Sequence, residues 1–103
     1  MTPTQRSLKH YRDKGYIAGV VERWIPQARK RSDLFGILDI VAVGDGETVG
    51  VQTTSGSNVS ARVKKIADSD TVAHLREAGW TLIVHGWRKN SKGRWVLREV
   101  DVS

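Results

Sequence analysis

Two rhythms of apolar and polar residues run along this chain, and the changes between them place its elements. Leu8 and Tyr11 stand three apart, on one face of a helix predicted from Thr2 to Lys14. Thr2 can cap it, Pro3 suits its first turn, Gln5 holds the capping-box position and Gly15 stops it. Tyr16 to Ile25 is β-rich, with Ile17, Val20, Val21 and Trp24, and Pro26 ends it. Gln27 to Ser32 reads as a basic loop. Ile37 to Val43 is almost continuously aliphatic, the pattern of a central strand buried on both faces. Gly44-Asp45-Gly46 signals a hairpin, and Thr48 to Thr54 is the returning strand. Ser55 to Asn58 leads into a helix with Val59, Val63 and Ile66 on one stripe. Asp68-Ser69-Asp70 breaks it, and a second helical stretch ends at Gly79. Trp80 to Trp87 and Arg94 to Val102 are the last two strands, joined by the polar turn Arg88 to Gly93. The order is helix-strand-strand-strand-helix-strand-strand. It predicts an α/β fold class of the α+β kind, a mixed sheet with helices packed on it.

Composition narrows the picture. A chain of 103 residues with 39% apolar content supports one modest core, hence a single domain over residues 1–103. No apolar run approaches the roughly 18–20 residues of a membrane helix, and Met1 to Arg6 lacks an apolar signal core. There are no cysteines, which excludes disulfides, Cys-based zinc sites and thiol nucleophiles. A cytoplasmic location fits. The three histidines, His10, His74 and His85, are scattered without metal-ligand spacing. Lys and Arg number 17 against 11 acids, a net charge of +6, the balance of a domain that meets nucleic acid or another polyanion.

Asp39 is the most informative residue. A carboxylate inside Ile37-Leu38-Asp39-Ile40-Val41-Ala42-Val43 is costly to bury unless it is hydrogen-bonded, ion-paired or bound to a cation. Gln52 follows 13 residues later, roughly opposite across the predicted hairpin, and shares a strand face with Thr54. Asp39 and Gln52 could place two oxygens around one hard cation. A strand Gln is more often a solvated edge residue, and only its pairing with Asp39 argues otherwise.

Gly36-Ile37-Leu38-Asp39, an aliphatic strand, a hairpin, then Val51-Gln52-Thr53-Thr54 and a helix resemble the core of the PD-(D/E)XK nuclease superfamily. Small Holliday junction resolvase-like and phage-type endonucleases are the nearest in size and element order. The resemblance covers roughly Leu8 to Val102 and implies a restriction-endonuclease-like core. It implies that Asp39 is the metal-binding Asp, that Gln52 stands where Glu is usual, and that the Thr53 carbonyl is a backbone metal ligand. It places Thr54 where the catalytic Lys is usual. A neutral Gln weakens metal affinity, and Thr54 supplies no cation. In some members that lysine has moved to the next helix, which here carries Arg62, Lys64 and Lys65. Arg62 flanks the buried stripe most closely, Lys65 comes next, and Lys64 points away. Arg62 or Lys65 is therefore the expected replacement, or all three form a solvated phosphate-binding face. The superfamily often adds an acidic residue near the metal. Glu22 is the first candidate, with an ion pair to Arg23 or Arg31 as its other reading. Asp33 ranks below it, and Asp13 ends the first helix.

The resemblance implies a Mg²⁺-dependent endonuclease, with Mn²⁺ able to substitute, that cuts branched or junction DNA as a homodimer without a membrane partner. Arg29, Lys30, Arg31, Lys64, Arg88, Lys89, Lys92 and Arg94 are the expected phosphate contacts. Trp24, Trp80, Trp87 and Trp95 are expected mostly in the core. Two alternatives stay open. One is a non-catalytic nucleic-acid-binding module on the same fold, motivated by Gln52 and the missing Lys. The other is a sheet-based RNA binder using its tryptophans.

Overall fold

The computed structural model describes Met1–Ser103 as a mixed α+β protein. Helix α1 spans Pro3–Asp13. The Thr2 hydroxyl accepts the Gln5 amide N–H, and the Gln5 side chain accepts that of Thr2, so both orphan donors are satisfied. Strands β1 (Ile17–Val20), β4 (Ile40–Gly44), β5 (Glu47–Ser55), β6 (Thr81–Lys89) and β7 (Trp95–Asp101) form one sheet in the order β1-β4-β5-β6-β7. Strands β2 (Arg23–Ile25) and β3 (Lys30–Ser32) form a separate hairpin. Helices α2 (Val59–Ala67) and α3 (Val72–Glu77) lie between β5 and β6, the one parallel pair, because a parallel pairing needs a crossover. Asp45 and Gly46 both take positive φ, 50° and 73°, as a two-residue hairpin turn between β4 and β5 demands.

Alternation along the strands sorts the core into two layers. Ala42, Val49, Val51 and Ile83 pack with Tyr11 beneath α1. Leu38, Leu82 and Val84 pack with Val59, Ile66 and Leu75 beneath α2 and α3. No helix is long and apolar enough to cross a membrane.

Three segments depart from the expected elements. Tyr16 to Ile25 is not one strand: the chain leaves the sheet after Val20, and β2 pairs only with β3. Half of the expected basic loop is therefore strand, with Lys30–Ser32 pairing to Arg23–Ile25. The aliphatic run is regular strand only from Ile40. Ile37 and Leu38 are buried in a tight turn in which the Leu34 and Leu38 backbones pair. Continuous apolarity reported burial there, and burial does not require strand geometry. The tryptophans also divide. Trp80 packs on the core, whereas Trp24 and Trp95 are exposed.

Candidate metal and phosphate site

The small hairpin explains how residues far apart in the chain converge. Its last pair is Arg23 with Ser32, so Glu22 and Asp33 emerge side by side at its base. The Val21 amide donates to the Asp39 carbonyl at 2.8 Å, and the Asp39 amide donates to the Val51 carbonyl at 2.8 Å. Asp39 is thereby held between the end of β1 and the middle of β5. The Ile40–Val51 register then sets it beside Gln52, as the hairpin arithmetic predicts. Glu22, Asp33 and Asp39 each present a carboxylate oxygen, and these oxygens lie within 4.8 Å of one another.

Asp39 is buried, with its acceptor capacity concentrated on one oxygen. Its Oδ2 accepts from Gln52 Nε2 at 2.5 Å, from the Thr53 amide at 2.8 Å and from Thr53 Oγ1 at 3.2 Å. Burial nevertheless pushes its pKa from the ordinary 3.8 up to about 7. The Thr53 N–H works against that rise, while a hydrogen bond donated by protonated Asp39 to Asp33, and the charges of Asp33 and Glu22, add to it. Carboxylates crowded this closely repel unless a proton or a cation sits among them. Three oxygen donors at this separation suit a hard divalent cation.

Gln52 is fully buried, not a solvated edge residue. Its amide nitrogen faces Asp39 and its Oε1 accepts from Lys65 Nζ at 3.3 Å. Lys65 also donates to Asp33 Oδ2 at 3.0 Å. Of the two expected replacements for the missing lysine, Lys65 therefore reaches the cluster. Arg62 stays half-buried on α2 without an ion pair. Thr53 meets Asp39 through its amide and hydroxyl, and Thr54 is buried in the layer facing α2. Glu22 joins the cluster, and Arg31 Nη1 donates to it at 2.9 Å, the ion pair of its other expected reading. Asp33, the acidic candidate placed below Glu22, joins the same cluster. A loop over residues 27–32 gives no reason for Glu22 and Asp33 to meet; the β2–β3 pairing supplies it. Asp13 is elsewhere, paired with Lys9.

The remaining basic residues flank this end of the sheet. Arg29 and Lys30 are exposed on the β2–β3 hairpin. Arg88, Lys89, Lys92 and Arg94 are exposed where β6 turns into β7. Arg88 and Lys89 share a surface hollow with Ser55, Gly56 and Ser57 at the carboxyl end of β5. Lys64 pairs with Asp68, the residue that caps the C-terminus of α2. Trp95 carries the Arg6 guanidinium 3.9 Å above its ring and the Lys89 ammonium at 5.5 Å.

The histidines are not all scattered. The fold brings His10 on α1 against His85 on β6, ring centroids 5.2 Å apart, beside Glu99 of β7. No sequence spacing announces that meeting, since helix docking alone creates it. No protein-family model matches the chain, and no curated protein sequence matches it significantly.

Proposed function

We propose that this protein is a divalent-cation-dependent endonuclease that hydrolyses phosphodiester bonds in branched or junction DNA. The observation that carries the proposal is the convergence of Glu22, Asp33 and Asp39 with Lys65 at one basic end of the sheet. The resemblance to the PD-(D/E)XK nucleases belongs to the same proposal. The helix-strand-hairpin order and the position of Asp39 beside Gln52 support it.

Asp39 with Glu22 and Asp33 would hold Mg²⁺ or Mn²⁺, which supplies Lewis acidity toward a phosphate oxygen and a water of lowered pKa. Gln52 acts as a positioning residue: its amide bridges the Asp39 carboxylate and the Lys65 ammonium, fixing both. Lys65 presents a donor to a non-bridging phosphate oxygen, where negative charge accumulates in the transition state. Arg31 holds Glu22 in place. Arg29, Lys30, Arg88, Lys89, Lys92 and Arg94 bind neighbouring phosphates, which position the substrate without reading bases. A symmetric pair of cuts across a junction requires two sites, so a homodimer is part of the proposal. The outermost strand β1, with Ile17 and Val20 exposed, offers an unpaired edge for it.

One observation favours the alternative of a binding module without catalysis. The Gln52 nitrogen and the Thr53 donors already satisfy Asp39 Oδ2 without a cation. Incubation with a synthetic four-way junction in Mg²⁺, Mn²⁺ or chelator separates the two. The nuclease reading requires cleavage with metal and none with chelator. Binding without cleavage in any metal establishes the module.

A further inference from the structure

We propose that His10, His85 and Glu99 form a second cation site, for a zinc-class divalent metal, that clamps α1 to the β6–β7 pair. His85 Nε2 lies 2.9 Å from Glu99 Oε2, and His10 Nε2 lies 3.9 Å from the same oxygen. All three ligand atoms fall within 4.8 Å of one another. Tetrahedral zinc with bonds of about 2.0–2.1 Å separates its ligand atoms by about 3.3 Å, between the two measured spacings. The Glu99 side chain is 44% exposed and free to make the small adjustment.

The surroundings of His85 are those of a ligand held from behind. Its Nδ1 lies 2.8 Å from Ser7 Oγ, which also accepts from Trp87 Nε1 at 2.9 Å. A cation at Nε2 would select the tautomer in which Nδ1–H donates to Ser7, the second-layer pattern of metal-bound histidines. Tyr11 stacks on the His85 ring with planes 4° apart and fixes its tilt. His10 Nε2 is buried and has no hydrogen-bond partner, a deficiency that a metal bond removes. Lys14 opposes a cation here, and Asp13 and Glu99 favour one.

Two nitrogens and one oxygen select a borderline-soft ion over Mg²⁺, so this site and the carboxylate cluster prefer different metals. Ser7, His85 and Glu99 are also the residue types of a hydrolytic triad. The Ser7 hydroxyl is fully buried, however, which denies it a substrate.

The test uses the untagged, metal-stripped full chain titrated with Zn²⁺ by calorimetry, and with Co²⁺ by visible absorption. Expected are one tightly bound equivalent, an intense tetrahedral Co²⁺ spectrum and a raised melting temperature. His10→Gln and Glu99→Gln should each weaken binding at least tenfold while circular dichroism stays unchanged. Asp39→Asn should bind Zn²⁺ as wild type does. Absence of Zn²⁺ binding, binding unaltered in both His10→Gln and Glu99→Gln, or binding lost in Asp39→Asn overturns the proposal. Because Asp39→Asn isolates the carboxylate cluster, failure of this site is distinguishable from failure of the nuclease reading.

Discussion

The Lys65 ammonium sits 3.0 Å from the Asp33 carboxylate, although 32 residues separate the two in the chain. The contact joins the crossover helix α2 to the base of the β2–β3 hairpin, and it delivers a cation to a site where Thr54 offers none. Lys65→Ala should therefore slow junction cleavage by about two orders of magnitude, the scale of one lost transition-state donor, with junction affinity nearly unchanged. Arg62→Ala should remain within a few-fold of wild type, since Lys65 and not Arg62 hydrogen-bonds to the cluster. Single-turnover rates and binding isotherms of the two variants check this. Equal losses would remove Lys65 from its role.

Asp39 makes stability depend on pH in a definite direction. Its folded pKa is raised from 3.8 to about 7, so the folded chain holds a proton that the unfolded chain releases. The stabilisation from that proton is complete below about pH 4 and declines as pH rises toward 7. His10 and His85, lowered by burial, act oppositely below their ordinary value of 6.5. The difference between wild type and Asp39→Asn isolates the carboxylate. In chelator, wild type should lose melting temperature relative to the variant between pH 4 and 7, and Mg²⁺ should restore it. A constant difference across that range would contradict the raised pKa.

What could be read in advance follows from how local each signal is. The Thr2–Gln5 cap, the Asp45-Gly46 turn and the Val59–Ile66 stripe depend on neighbours within a few residues, and each is found where the pattern puts it. Asp39 beside Gln52 was legible because hairpin register is counted outward from the turn. The pairing of Glu22 with Asp33 was not, because β2 and β3 are only three residues long and β3 is wholly polar, too short for alternation to register. Lys65 over Arg62 depends on where Asp33 lies, a tertiary fact. The His10–His85 contact depends on how α1 docks, which no local pattern encodes.

The approach of α2 to the sheet rests on Gly86. A Cβ there would lie 2.2 Å from Val59 Cγ2 and 3.2 Å from the Gly56 Cα. Gly86→Ala should cost about 1–3 kcal/mol by overpacking. Gly19 has open space around it and ordinary φ, so Gly19→Ala should change stability little. Denaturant midpoints of the two variants decide it. A Gly86→Ala protein as stable as wild type would show that α2 does not pack this closely.

The exposed basic residues on the two hairpins set a salt dependence. Neutralising about four phosphates gives a log–log slope of affinity against salt on the order of −4. Titration of a four-way junction from low to moderate salt, without divalent metal, measures it. Lys92→Ala should reduce the slope by about one unit if that side chain meets a phosphate. A flat response would exclude the phosphate-contact surface.

Cleavage of a four-way junction by wild type and Asp39→Asn, assayed beside binding of the same DNA, bears most directly on the carboxylate cluster as a cation-dependent catalytic site. Asn at position 39 keeps an oxygen for the Thr53 amide and removes the charge that holds a cation. Wild type should cut in Mg²⁺ and not in chelator, and Asp39→Asn should bind the junction equally while cutting at least about 100-fold more slowly. Equal cleavage by the two proteins, or none by wild type in either Mg²⁺ or Mn²⁺, would contradict it.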